Sequence, residues 1–436
     1  MNARRRGGWL LAIAALVLAL LVLGALGAWA WQASHGPALP EAVAGADAGL
    51  DDPTLIARGA YLARVGDCAG CHTARGGASY AGGRVIATPF GDVPAGNLTP
   101  DRATGLGEWS FAAFWRALHT GMRRDGQWLY PVFPYTAYTQ VDRADARAIF
   151  AYLRTLPPVH HAVAGNTLRF PYDLRAAIAV WRALYFRPQG FVPDPARSAA
   201  WNRGAYLVQG LGHCSACHAP RDRLGGQSDA LAFSGGMLPA QGWYAPDLSM
   251  AANGGMDGWN ASDVVDLLRS GQSARGTAFG PMAEVVEKST QYLSDADLDA
   301  IATYLQALPP RLPRAPAATA IDVSTLLSRG QRVYAARCAA CHGGDGRGIA
   351  GVYPPLDRNP AVTEPSGVDA TRIVLLGGFA PSTRDNPRPY SMPPFAQQLN
   401  DADVAAVVSY IRQAWHNQAA PVQARDVAAS RTIPLR

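Results

Sequence analysis

The chain has 436 residues, 49% of them apolar, and a formal net charge of +6. That length predicts about three domains, with enough apolar side chains for packed cores. Arg4, Arg5 and Arg6 supply half of the excess charge, and no basic stripe with interleaved aromatics is present, which excludes nucleic-acid binding.

The first element is the uncharged, mostly apolar run from Trp9 to Trp31. As a helix it would span roughly 34 Å, enough to cross a bilayer. The arginines before it predict a cytoplasmic start. Residues 1–35 thus read as an N-terminal anchor in the inner (cytoplasmic) membrane, with the body on the periplasmic side. A cleaved signal peptide is the alternative, although its apolar core is usually about 7–15 residues long. The small residues Ala42-Val43-Ala44 leave that alternative open.

Three similar units follow, at 50–158, 199–310 and 323–418. Each opens on an Arg-Gly helix start: Arg58-Gly-Ala-Tyr-Leu, Arg203-Gly-Ala-Tyr-Leu and Arg329-Gly-Gln-Arg-Val-Tyr. Next come Cys68-Ala-Gly-Cys71-His72, Cys214-Ser-Ala-Cys217-His218 and Cys338-Ala-Ala-Cys341-His342, which use all six cysteines. This pentapeptide is the attachment pattern of c-type haem: two thiols become thioethers and the adjacent histidine ligates iron. A structural zinc site needs four ligands, and each motif has three. Three haem c groups are expected, and their propionates bring the body near neutral or slightly acidic.

Each unit ends in an amphipathic helix behind an aspartate-rich turn, at Asp142 to Leu156, Ser294 to Leu308 and Asn400 to Trp415. Acidic residues suit a helix N-terminus. Between units, 159–198 predicts an aromatic-rich helix near Leu174 to Phe186, packed between units 1 and 2 or offered to a quinone or partner. Residues 311–322 form a Pro-rich linker, and 419–436 a polar tail. The fold class is mainly α: three tandem domains resembling the class I cytochrome c fold, behind a transmembrane helix.

Methionine or histidine commonly completes a low-spin haem, and methionine raises its potential. Met282, in Gly280-Pro-Met-Ala, and Met392, in Tyr390-Ser-Met-Pro-Pro-Phe395, lie at matching places ahead of the closing helices. Both are assigned as axial ligands. Unit 1 has Tyr130-Pro-Val-Phe-Pro-Tyr135 there, and Phe133 cannot ligate iron. His119, Met122 or an open position remain for the first haem, with His119 the first choice.

The chain resembles the triheme cytochrome c subunits of membrane-bound bacterial dehydrogenases across about residues 55–415. The likeness rests on Thr88-Pro-Phe-Gly, Asn97-Leu-Thr-Pro-Asp101, Gly105-Leu-Gly-Glu-Trp-Ser110, Gly242-Trp-Tyr-Ala-Pro-Asp247, Gly280-Pro-Met-Ala-Glu-Val-Val286 and Tyr353-Pro-Pro-Leu356. The resemblance implies a relay from a catalytic subunit (a quinoprotein, flavoprotein or molybdenum enzyme) to ubiquinone or a terminal oxidase. Substrate chemistry would then lie in the partner. Members often carry methionine where this chain has Phe133, and phenylalanine there is similar to the molybdenum-linked branch. A peroxidase-like haem enzyme open at haem 1, or a released shuttle cytochrome, are the competing readings.

Overall fold

The computed structural model describes residues 13, 15–28, 47–251, 255–310 and 323–433. The chain is mainly helical, and among the described residues the strands pair only two by two, antiparallel. Residues 15–28 form a helix with apolar side chains such as Leu16, Leu21 and Leu23 exposed. Among the described residues no helix is long and apolar enough to cross a membrane. Both ends of the Trp9–Trp31 run, and the linker at 311–322, lie outside the described residues.

Each unit is built on a crossing of its leading and closing helices. The leading helices are Pro53–Val65, Ala199–Tyr206 and Val323–Arg337. The closing helices are Arg143–Arg154, Asp295–Gln306 and Asp401–Gln413. Ser294 and Asn400 cap theirs by accepting the Asp297 and Asp403 backbone N–H. The Arg-Gly pairs lie inside the leading helices rather than at their starts. A mid-helix glycine costs about 0.5–1 kcal/mol, so it needs a reason. Here the reason is close approach. A Cβ on Gly59, Gly204 or Gly330 would sit 1.8, 1.9 or 2.1 Å from the carbonyl oxygen of Ala148, Ala300 or Ala406.

The arginine before each glycine pairs with the aspartate in the first turn of its own closing helix. Arg58 Nε donates to Asp145 at 2.9 Å, Arg203 Nε to Asp297 at 2.7 Å and Arg329 Nε to Asp403 at 2.8 Å. For Asp297, burial alone would raise the carboxyl pKa. Hydrogen bonds from Arg203 and Tyr61 outweigh it and hold the group below its ordinary value.

Units 1 and 2 share one apolar core, which joins Leu62, Phe114, Ile149 and Leu153 to Leu207, Leu211, Leu298 and Ile301. Unit 3 has its own, around Tyr334, Leu375, Val404 and Val408. Two tyrosines cross the first junction in opposite directions. Tyr61 Oη donates to Asp297 at 2.6 Å, and Tyr206 Oη donates to Asp145 at 2.7 Å. The helix Arg175–Tyr185 seals the same junction. Its Arg182 guanidinium lies 3.7 Å from the Trp128 ring centroid in unit 1, while Trp181 and Tyr185 hydrogen-bond to Leu224 and Asp222 in unit 2. The sequence left that helix between packing and a partner surface; its Trp181, Arg182 and Tyr185 are engaged in packing.

Unit 3 meets unit 2 through polar contacts. The Tyr244 N–H donates to Asp369 at 2.9 Å, Thr383 Oγ1 donates to the Ser270 carbonyl at 3.2 Å, and Arg372 stacks over Trp243. The C-terminal segment is part of unit 3. Its helix Ala424–Arg431 buries Val427 in the unit's core, and Arg431 donates to the carbonyls of Ala396 and Leu399.

Candidate haem sites

Each Cys-x-x-Cys-His motif ends in a short helix: Cys68–His72, Ser215–His218 and Ala339–His342. One turn of helix brings both cysteines and the histidine to one side. The first cysteine of each pair is half-buried, the second is exposed, and none is bridged to another. Burial pushes the Cys68 and Cys214 thiols up to about 12 and Cys338 up to about 11. Burial thus favours the protonated thiol at the first cysteine of each motif.

The histidines repeat one contact three times. His72 Nδ1 lies 2.6 Å from the Gly96 carbonyl, His218 Nδ1 2.7 Å from Pro246 and His342 Nδ1 3.0 Å from Pro354. A carbonyl can only accept, so each Nδ1 carries the proton and each Nε2 keeps its lone pair. Burial lowers the pKa of all three rings, keeping them neutral and able to bind iron. The accepting residues follow the motifs in the chain: Gly96 and Pro354 lie in loops, and Pro246 lies in the strand Trp243–Asp247.

A cavity of about 3180 Å³ opens beside the first motif. Cys68, Cys71 and His72 form one wall, and Leu118, Phe133 and Tyr138 are among the apolar side chains facing it. It continues past the Arg175–Tyr185 helix to Cys217 in the second motif. A large, mostly apolar chamber with free thiols and an imidazole nitrogen on its wall fits a porphyrin in its chemistry.

His119 and Met122 are not among the residues that line this chamber. The Phe111–Thr120 helix turns Phe114, Ala117 and Leu118 toward the cavity. His119, one position further around the helix, stacks on Trp115 with ring centroids 4.6 Å apart. Gly121 then ends the helix at φ +70°. It carries Met122 into a buried bridge with Trp128, where the side chain is 2% exposed. Phe133 does face the chamber, at the place that methionine holds in the other two units.

Met282 lies in the first turn of the Gly280–Lys288 helix, on the same face as the fully buried Val286 four residues on. Met392 lies in the strand Ser391–Met392, paired with Gly378–Phe379, and packs on the unit 3 core together with Cys338 and Leu356.

Sequence reading missed a polar bridge between the first two stations. Arg84 donates to the Gly70 carbonyl, inside the first motif, at 2.7 Å and to Glu284, two residues beyond Met282, at 2.7 Å. Next to it, Asp67 holds a left-handed φ of +47°, and its carboxylate packs under Gly70. Burial first, then the Glu284 charge, raise the Asp67 pKa to about 7. No local pattern announces this cluster, because its members lie in two units.

Comparison with known proteins agrees with this geometry. The cytochrome c family model matches residues 56–157, 202–309 and 327–415, each stretch holding one motif and its closing helix. The chain belongs to the cytochrome c family. This cytochrome c is 37% identical over 401 residues to the cytochrome c subunit of alcohol dehydrogenase (quinone) from Komagataeibacter europaeus, covering 87% of this chain and 85% of that one. It is 39% identical over 396 residues to the gluconate 2-dehydrogenase cytochrome c subunit of Pantoea cypripedii, covering 86% and 89%. A nicotinate dehydrogenase subunit of Pseudomonas putida is 40% identical over 412 residues, 93% of this chain, although the chain spans only 33% of that protein. The work of this cytochrome c is electron transfer.

Proposed function

We propose that this cytochrome c is the three-haem electron-transfer subunit of a dehydrogenase complex. It would take electrons from a catalytic subunit and pass them to ubiquinone or a terminal oxidase. The names of its relatives, which include quinone-linked alcohol, gluconate and nicotinate dehydrogenases, support a catalytic partner of quinoprotein, flavoprotein or molybdenum type. The architecture proposed is three tandem class I-like domains held to the inner membrane on its periplasmic side by the Trp9–Trp31 run.

Cys68, Cys71, Cys214, Cys217, Cys338 and Cys341 would hold three haem c groups. Bound haem supplies a one-electron iron couple. The chain contributes the rest. His72, His218 and His342 present Nε2 from rings fixed by their Nδ1–H bonds. Met282 and Met392 supply thioether sulfur and hold two potentials high. Phe133 leaves the first station without a protein sixth ligand, and the apolar walls keep water away. The observation that carries this reading is the histidine-to-carbonyl contact repeated behind each thiol pair.

The test is purification of the native complex from membranes. The expected result is a copurified dehydrogenase whose own substrate reduces the α bands of this chain. Haem bands that stay oxidised with every copurified enzyme and its substrate would overturn the proposal.

A further inference from the structure

The Arg-Gly-Ala-Tyr-Leu repeat does more than build each unit. Tyr61 Oη donates to Asp297 Oδ2 at 2.6 Å and accepts the Ser294 backbone N–H at 3.2 Å. Tyr206 Oη donates to Asp145 Oδ2 at 2.7 Å and accepts the Asp142 backbone N–H at 3.1 Å. Each tyrosine therefore caps the closing helix of the other unit and shares an aspartate with that unit's own arginine. Reciprocal contacts between equivalent residues define a local two-fold relation between units 1 and 2. In unit 3, Arg332 stands where the tyrosines stand, and its core is separate.

The locks lie close to the haem motifs. Tyr61 is seven residues ahead of Cys68, and Tyr206 eight ahead of Cys214. Between each lock and its motif the chain touches the other unit again. Ser289 Oγ donates to the Val65 carbonyl at 3.3 Å, and a Cβ on Gly66 would meet Leu211 at 3.1 Å. The two motifs then share one chamber through Cys71 and Cys217.

We propose that Tyr61 and Tyr206 are positioning residues for electron exchange between the first two haem stations, making units 1 and 2 a single two-haem body to which unit 3 is docked. This rests on the electron-transfer reading above. In the exchange, one electron leaves a ferrous iron and reaches a ferric one, and no bond forms or breaks. Both tyrosines keep their protons, because burial holds each phenol above its ordinary pKa. Tunnelling between fixed sites falls exponentially with separation, so the rigidity of the junction sets the rate.

The experiment uses haem-loaded full-length protein carrying Tyr61→Phe, Tyr206→Phe or both. Tyr334→Phe is the matched control, since it removes a buried hydroxyl from unit 3 alone, where Tyr334 donates to the Gly343 carbonyl. Soret circular dichroism reads the coupling between neighbouring haems, and pulse radiolysis reads their exchange rate. Each single variant should weaken the Soret couplet and slow exchange severalfold, with roughly tenfold slowing in the pair. Tyr334→Phe should change neither signal, and three haems per chain should remain throughout. If the double variant fails to fold, the single variants decide. A couplet and rate unchanged in the Tyr61 and Tyr206 variants would overturn the locks alone. Wild-type protein with no interhaem signal would instead count against the electron-transfer reading.

Discussion

Units 1 and 2 differ from unit 3 in what their shared parts are used for. All three cross two helices at a glycine and tie them with an Arg–Asp pair. In the first two, a tyrosine on the same helix reaches across to the other unit, and the cores merge. In the third, arginine replaces tyrosine and the core stands alone. One scaffold thus yields a fused pair and an appended single, and the tyrosine-to-arginine change at one helical position goes with that difference. The pair is not symmetric in its chemistry, since Phe133 faces the chamber where unit 2 carries Met282.

The largest expected effect separates pair from single most sharply. Gly59→Val or Gly204→Val forces a side chain into a backbone carbonyl, costing about 3 kcal/mol or more. Either should abolish folding of the fused pair, because its core is shared. Gly330→Val should cost unit 3 alone and leave a protease-resistant fragment carrying two haems. Haem staining of digests checks this; an intact two-haem fragment in the Gly59 variant would break the comparison.

Ligand binding sharpens the asymmetry within the pair. Reduced wild-type protein should take up one carbon monoxide per chain, at the station facing Phe133. Phe133→Met should bind none, while Met282→Ala and Met392→Ala should each add a site and lower one haem potential. Visible-spectrum titration measures all four. Absence of binding in the wild type would mean that another side chain closes the first station.

Asp67 gives the junction a pH dependence. Its folded pKa of about 7 lies above the ordinary 3.8, so the folded state holds a proton that the unfolded state has lost. Its contribution is complete below about pH 4 and fades as pH rises toward 7. Asp67→Asn should flatten stability across that window; denaturant melts at several pH values read it. The smallest effect is expected from Arg84→Gln. The Arg84–Glu284 pair is about a third exposed, and its loss should cost under about 1 kcal/mol, less at high salt.

Much of this was legible in sequence because it is local. Motif spacing marked three equivalent places along the chain, and helical periodicity placed the closing helices to within a few residues. The Tyr61–Asp297 lock was not legible. Its partners are 236 residues apart, and a tyrosine on a helix stripe reads as core. His119 stands out in the sequence because a histidine near a helix C-terminus, beside a Cys-x-x-Cys-His motif, satisfies every local rule. Which way its ring turns depends on Trp115 and on Gly121, and only the folded helix settles that. Arg372, fully buried against Trp243 of the neighbouring unit, likewise carries no local sign of burial.

The central claim is that three iron porphyrins are covalently fixed along one chain and accept electrons. Coulometric titration of protein purified from cells that mature c-type cytochromes tests it most directly, with intact mass measured on the same sample. The account predicts a mass increase of three haems and an uptake of three electrons per chain. Colourless protein, or fewer than three electrons at full reduction, would contradict it.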